Sequence, residues 1–168
     1  MTSKILKLIV WVVIVLFVAW GSYKIYTAPK IPESEIVSSS GLHWHAHLSI
    51  VISGKEESIP ADIGVTGKTG AGGDPIELHT HDTSGVIHAE FEGLVKKDQL
   101  QLKNFFKLWK KDFSKDSILG NKAGDGHTIK MLVNGQPNEE FENYHITNVG
   151  TWSAGESERI DDIKIIYE

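Results

Sequence analysis

The chain has no cysteine, which excludes a disulfide framework, a cysteine-ligated zinc finger and thiol chemistry. It carries no Asn-x-Ser/Thr sequon. A phosphate-binding loop is missing too: Gly67-Lys68-Thr69 has the right ending, but the glycine required five places before Gly67 is Asp62. Basic charge is scarce where a domain would lie. Four of the 17 Lys+Arg (Lys4, Lys7, Lys24, Lys30) precede residue 42, leaving 13 basic groups against 20 acidic ones beyond it. That balance argues against nucleic acid as a partner. The 168 residues hold one ordinary domain of ~100–200 residues with a tail.

One long apolar run stands out. From Leu8 to Trp20 every one of thirteen residues is apolar, and counted from Ile5 to Tyr26 the segment reaches the ~20 residues that cross a bilayer, with Lys7 snorkelling to the headgroups. Trp20, Tyr23 and Tyr26 fit the far interface, where amphipathic rings lie. Lys4, Lys7 and the terminal amine precede the span, while Lys24 and Lys30 after it are followed by Glu33 and Glu35, a small bias toward a cytoplasmic N-terminus and an exported domain. A cleaved signal peptide is the other reading, with Ala19 and Gly21 as the small residues at −3 and −1. Both readings export the domain. The expected organisation is a cytoplasmic stub and transmembrane anchor over 1–26, a Pro- and Ser-containing linker over 27–41, and an extracytoplasmic domain over 42–168.

Within that domain, Leu42 to Ile52 alternates for eleven residues. Leu42, Trp44, Ala46, Leu48, Ile50 and Ile52 share one strand face, and His43, His45 and His47 share the other. Glu57 to Ile63 is placed to return as a hairpin partner, and Gly64 to Pro75, with five glycines, reads as a loop. A second hairpin is expected from 76–81 and 86–91, again with histidines (His79 and His81, then His88) opposite apolar residues. Asp98 is the expected cap of a helix reaching about Asp112, with Leu102, Phe105, Phe106, Trp109 and Phe113 as its apolar stripe. Thr128 to Val133, an Asn134-Gly135 turn and Ile160 to Tyr167 supply later strands. These elements predict an α+β domain, a mainly antiparallel sheet with one packed helix in a β-grasp-like arrangement, preceded by a single transmembrane helix.

Histidine carries the chemistry. With eight histidines in 168 residues, an HxHxH arises by chance in about 2% of such chains. Neighbouring imidazoles repel when protonated but act together when neutral and bound to one metal. Alternate strand residues lie ~6.5–7 Å apart, close enough for their rings to converge on an ion. The candidate ligands are therefore His43, His45, His47, His79, His81 and His88. Asp82 and Glu90 are the carboxylates positioned to hydrogen-bond a ligand imidazole or to join the ligands. A nitrogen or nitrogen/oxygen set without thiolate suits zinc or copper(II), copper having the higher intrinsic affinity, and excludes a blue-copper site. His127 and His145 stand alone and read as structural.

At LHWHAHLSI, PADIG, LHTHDTSGVIHAEF, LKNFFKLW and VNG, the chain resembles a little-characterised family of exported or membrane-anchored His-rich domains of archaea and bacteria. The resemblance runs from about Leu42 to Gly135. It implies domain identity and an extracytoplasmic setting, without a reaction, and its recurrent histidines fall at His45, His47, His79, His81 and His88. Three functions fit the whole sequence. One is an anchored metal-binding domain for delivery or storage, or an accessory to a membrane metalloenzyme complex. Another is a structural or assembly subunit of a membrane complex. The third is a small three-histidine metal enzyme.

Overall fold

The computed structural model describes residues 2–66, 74–147 and 160–168. It divides into two units, Met1–Glu33 and Ser34–Glu168. In the first, a helix (α1, Thr2–Tyr26) follows from the unbroken apolar run. Its stretch from Ser3 to Tyr26 has 24 residues, about 36 Å at 1.5 Å each, against a hydrocarbon core of ~30 Å. By length and composition it is able to cross a membrane, a test that a signal sequence also passes.

The second unit begins earlier than residue 42. Ile36–Ser38, inside the segment expected as linker, pairs antiparallel with Val95–Lys96, so the last part of that segment is an edge of the domain. The expected strand from Leu42 forms as read, Leu42–Ile52 (β1). Its hairpin partner comes earlier than expected, Lys55–Glu57 (β2) after a turn at Ser53-Gly54; of the expected Glu57 to Ile63 only Glu57 is in the strand, because the chain leaves the sheet ahead of Pro60, which has no N–H to give. Val65–Thr66 and Asp74–Pro75 pair at the base of the glycine-rich segment. The rest of that segment, Gly67-Lys68-Thr69 included, lies outside the described residues.

Leu78–His79 (β3) and Val86–Phe91 (β4) make the second expected hairpin. Ile129–Val133 (β5), Gln136–Pro137 (β6) and Asp161–Tyr167 (β7) complete the sheet. Asn134 and Gly135 both have positive φ, 52° and 77°, as a tight hairpin turn requires. The order across the sheet is β6-β5-β7-β1-β4-β3, with β2 beside the far end of β1. β1 and β7 run parallel at the centre and their other neighbours are antiparallel. α2 lies in chain order between strands β1–β4 and β5–β7, and this largely antiparallel sheet with one packed helix is the α+β class expected from the sequence.

The helix is shorter than predicted. Lys97–Leu100 forms a 3-10 turn, and the α-helix proper (α2) is Leu102–Trp109. Asp98 is not its cap. Gln101 holds an extended backbone and bridges His145, while Leu102 N–H and Ile146 N–H donate across that bridge to the Tyr144 and Leu100 carbonyls. Those backbone groups are thus spent on a neighbouring segment before the helix starts. The helix stops at Lys110, which is left-handed at φ 59° and donates to Phe106 and Lys107 carbonyls.

Leu102, Phe105 and Phe106 enter one core with Ala46, Leu48, Ile50, Ile87, Ala89, Ile163 and Ile165. Each fully buried large apolar side chain contributes ~1.5–3 kcal/mol. One face of β1 and β4 is consumed by this core, so the histidine face is left for chemistry.

Candidate metal centre

Strand register assembles the site. His45 on β1 is paired with His88 on β4, and His88 in turn with His79 on β3. A row of three imidazoles therefore crosses three neighbouring strands. One step along, His43 is paired with Glu90, and His81 follows β3 two residues after His79.

The donor atoms converge. His43 Nε2 and His45 Nε2 are 3.2 Å apart, His45 Nε2 and His88 Nδ1 3.1 Å, and His79 Nε2 and His81 Nε2 3.2 Å. Two nitrogens bound to one ion at ~2.0–2.1 Å stand ~2.9 Å apart at a right angle and ~3.3 Å apart at the tetrahedral angle. The observed separations fall between these limits. Glu90 Oε1 lies 3.2 Å from His43 Nε2, 3.7 Å from His88 Nδ1 and 3.9 Å from His79 Nε2. Ligand atoms of His79, His81, His88 and Glu90 all lie within 4.8 Å of one another, as do those of His43, His45 and His88. Clustered in this way, they are able to hold a metal ion.

Backbone and loop contacts hold the β3 end in place. His79 Nδ1 donates to the Ile76 carbonyl at 2.8 Å, which leaves Nε2 with its lone pair directed at His81, the usual way a protein orients a ligand imidazole. Thr80, between the two histidines, is fully buried. Its hydroxyl donates to the Pro60 carbonyl and accepts from Ile63 N–H, its own N–H donates to the Ile63 carbonyl, and its carbonyl accepts from Asp62 N–H. The segment Pro60-Ala61-Asp62-Ile63-Gly64 is thus a clamp on the His79-Thr80-His81 backbone. Gly64 itself has φ +72°, and a Cβ there would sit 2.1 Å from the Leu78 carbonyl oxygen.

At the other end of the 82–85 loop, Gly85 has φ +81°, and a Cβ would meet the Leu48 carbonyl oxygen at 2.4 Å. Leu48 N–H donates to the Gly85 carbonyl at 2.9 Å, fastening β1 to the turn before His88.

Electrostatics keep the rings neutral. Burial, then the neighbouring His45, His81 and His79, push His88 from 6.5 down to about 4. Burial also lowers His79 below its ordinary value, more strongly than its hydrogen bond to the Ile76 carbonyl raises it. At neutral pH both rings therefore offer lone pairs without first releasing a proton.

Five of the six histidines expected from the sequence meet here. His47 is set apart: its Nδ1 lies 2.9 Å from Asp162 Oδ1 on β7, one strand over on the opposite side. Of the two carboxylates, Glu90 joins the donor atoms. Asp82 turns back into its own loop, accepting from Ser84 N–H at 2.8 Å, and the Ser84 side chain and backbone hold its carboxyl below the usual range. Thr80 and the Ile76 carbonyl were not singled out from the sequence; a polar residue flanked by two histidines is the signal that could have found Thr80. His127 stacks on Tyr167 at 5.1 Å, away from the cluster.

A cleft of about 620 Å³ opens beside the cluster, lined by His43, His79 and Glu90 together with Glu77, Glu92 and Gln99 among others. No protein-family model, no curated protein and no solved structure matches this chain.

Proposed function

We propose that this chain is a membrane-anchored extracytoplasmic metal-binding domain, holding copper or zinc through its clustered histidines, for delivery or storage or as an accessory to a membrane metalloenzyme complex. The observation that carries the reading is the convergence of five imidazoles and one carboxylate at ligand spacing. Copper(II) and zinc are the ions that suit a nitrogen-rich set without thiolate. The apolar N-terminal helix and the resemblance to exported His-rich domains support the anchored, extracytoplasmic setting, with the N-terminus cytoplasmic. The acidic lining of the cleft, Glu77, Glu90 and Glu92, suits approach of a hydrated cation.

A second reading, a three-histidine metal enzyme, is favoured by the same cleft, which gives a bound ion an open side. In that case Glu90 is the proton-transfer group, since its carboxylate lies within 4 Å of the His43, His79 and His88 rings.

The test is elemental analysis of the full chain, purified in detergent without a His-tag or chelator, beside a variant with His45, His79, His81 and His88 replaced by Ala. Near-stoichiometric copper or zinc that is lost in the variant is expected. No metal in the wild type, and none taken up at micromolar concentration, overturns the reading in favour of a structural or assembly subunit. Azide or cyanide binding to the loaded protein separates the enzyme reading from the carrier reading.

A further inference from the structure

Positive charge is unevenly placed in this acidic domain. Between residues 96 and 116 seven lysines stand against three carboxylates, whereas the rest of 42–168 has six basic residues against 17 acidic ones. We propose that the basic flank of α2, together with Leu94, is a docking surface for anionic lipid headgroups that holds the domain on a membrane. The proposal rests on the anchored reading above and is independent of the metal.

The lysines share one side of the helix. At about 100° per residue, Lys103, Lys107 and Lys110 fall within ~60° of arc. They are exposed and clear of the buried Leu102, Phe105 and Phe106, and the exposed Lys111 follows them. α2 has no acidic residue to pair with them. Among the described residues, lysine forms ion pairs only as Lys96 with Asp98 and Lys130 with Glu168, and Lys103 reaches the Asn143 side-chain oxygen at 3.5 Å. Like charges at i and i+4, and a cation in the first turn of a helix, both lower helix stability. An anion outside the domain accounts for an arrangement that costs the free domain stability.

Two further features make that anion a lipid surface. Leu94, 45% exposed, is the one large apolar side chain left open among the described residues of the second unit. It stands two residues before Lys96, and an apolar residue beside lysines is the pattern of segments that lie in a membrane interface. The chain arriving from α1 also enters the domain here: Ile36 pairs with Lys96 and Ser38 with Val95. Nine residues separate Tyr26 from Ile36, a reach of at most ~35 Å, so a bilayer that holds α1 is at high effective concentration for this segment. α2 packs into the core on the face of the sheet opposite the histidines, and docking through it leaves the metal cluster on the water side.

The experiment places the full chain in lipid nanodiscs of phosphatidylcholine alone and of equal parts phosphatidylcholine and phosphatidylglycerol, and reads the acetylation rate of each lysine by peptide mass spectrometry. In the mixed discs Lys103, Lys107, Lys110 and Lys111 are expected to react at least ~5-fold more slowly than in the neutral ones, the gain that one lysine makes at an anionic surface. Lys164, exposed on the other face of the sheet, is expected to keep its rate. At about 1 M NaCl, where the screening length is ~3 Å, the difference should vanish. A variant with Lys103, Lys107, Lys110 and Lys111 replaced by Gln, shown to be folded by a thermal melt, is expected to lose any lipid protection of Lys96 and Lys97. Equal rates in the two discs, or an equal slowing at Lys164, would overturn the proposal. Protection already present in detergent and rising with protein concentration would overturn it in favour of the acidic surface of a second copy. A chain that enters neither disc fails the anchored reading; flotation with vesicles of the same two compositions then decides, binding to the mixed vesicles alone supporting the docking surface and binding to neither overturning it.

Discussion

Acidification of the metal-free protein tests the electrostatics of the cluster directly. His88 titrates near 6.5 in an unfolded chain and at about 4 in the folded one. Between these values the unfolded state binds a proton that the folded state refuses, so stability rises with pH across that window. The contribution is fully present above 6.5 and is lost as the pH falls toward about 4. A shift of this size corresponds to a loss on the order of 3 kcal/mol at 1.36 kcal/mol per unit. The His88 side chain is only 21% exposed, so solvent screening removes little of it. His79 is shifted the same way and adds to the slope. Urea unfolding of the chelator-treated full chain in detergent, followed by near-ultraviolet circular dichroism from pH 7 to pH 4.5, measures the effect. A His88→Gln variant is expected to flatten the profile by most of that amount. A wild-type profile already flat between pH 6.5 and 4.5, or a slope unchanged in His88→Gln, would refute the reasoning.

Thr80→Val keeps the shape of a fully buried side chain but removes a hydroxyl that bonds Pro60 and Ile63; a loss of ~1–3 kcal/mol of stability is expected in urea titration. The same variant is expected to weaken ion binding through its loosened hold on His79 and His81, read by chelator competition. Gly85→Ala places a Cβ 2.4 Å from the Leu48 carbonyl at φ +81° and is expected to lower stability by more than ~1 kcal/mol. His47→Ala, which breaks the pairing with Asp162, is expected to leave metal stoichiometry and affinity unchanged in elemental analysis and competition titration.

Much of the architecture was legible because β1 and β4 alternate strictly. Their period of two assigns each residue to a face without reference to any neighbour, and the structure gives β1 the same bounds as the sequence pattern. Which histidines meet is a different question. Parity places His43, His45 and His47 on one face, but it does not say which strand lies beside each of them. Register decides: His45 falls opposite His88 and His43 opposite Glu90, while His47 falls opposite Val86 on one side and Asp162 on the other. A strand of eleven residues simply outruns the hairpin that holds its partners.

The helix boundary was hidden for a related reason. Asp98 and the stripe through Phe113 satisfy local rules for a longer helix, and Phe106 does pack on Phe113 at 4.7 Å. The chain nonetheless spends Gln101 and Leu102 on backbone pairing with residues 144–146, a segment some forty residues away. Tertiary pairing of that kind overrides local propensity. The clamp by residues 60–64 was legible as a motif but not as a function, because its partner Thr80 lies across the glycine-rich segment.

X-ray absorption at the metal edge of the copper- or zinc-loaded full chain tests the central claim most directly. The account predicts a shell of nitrogen and oxygen neighbours at ~2.0–2.1 Å, with the outer scattering of at least three imidazoles and no sulfur. That pattern should disappear when His79, His81 and His88 are replaced by Ala. A shell without imidazole scattering, or one that survives the triple replacement unchanged, would contradict it.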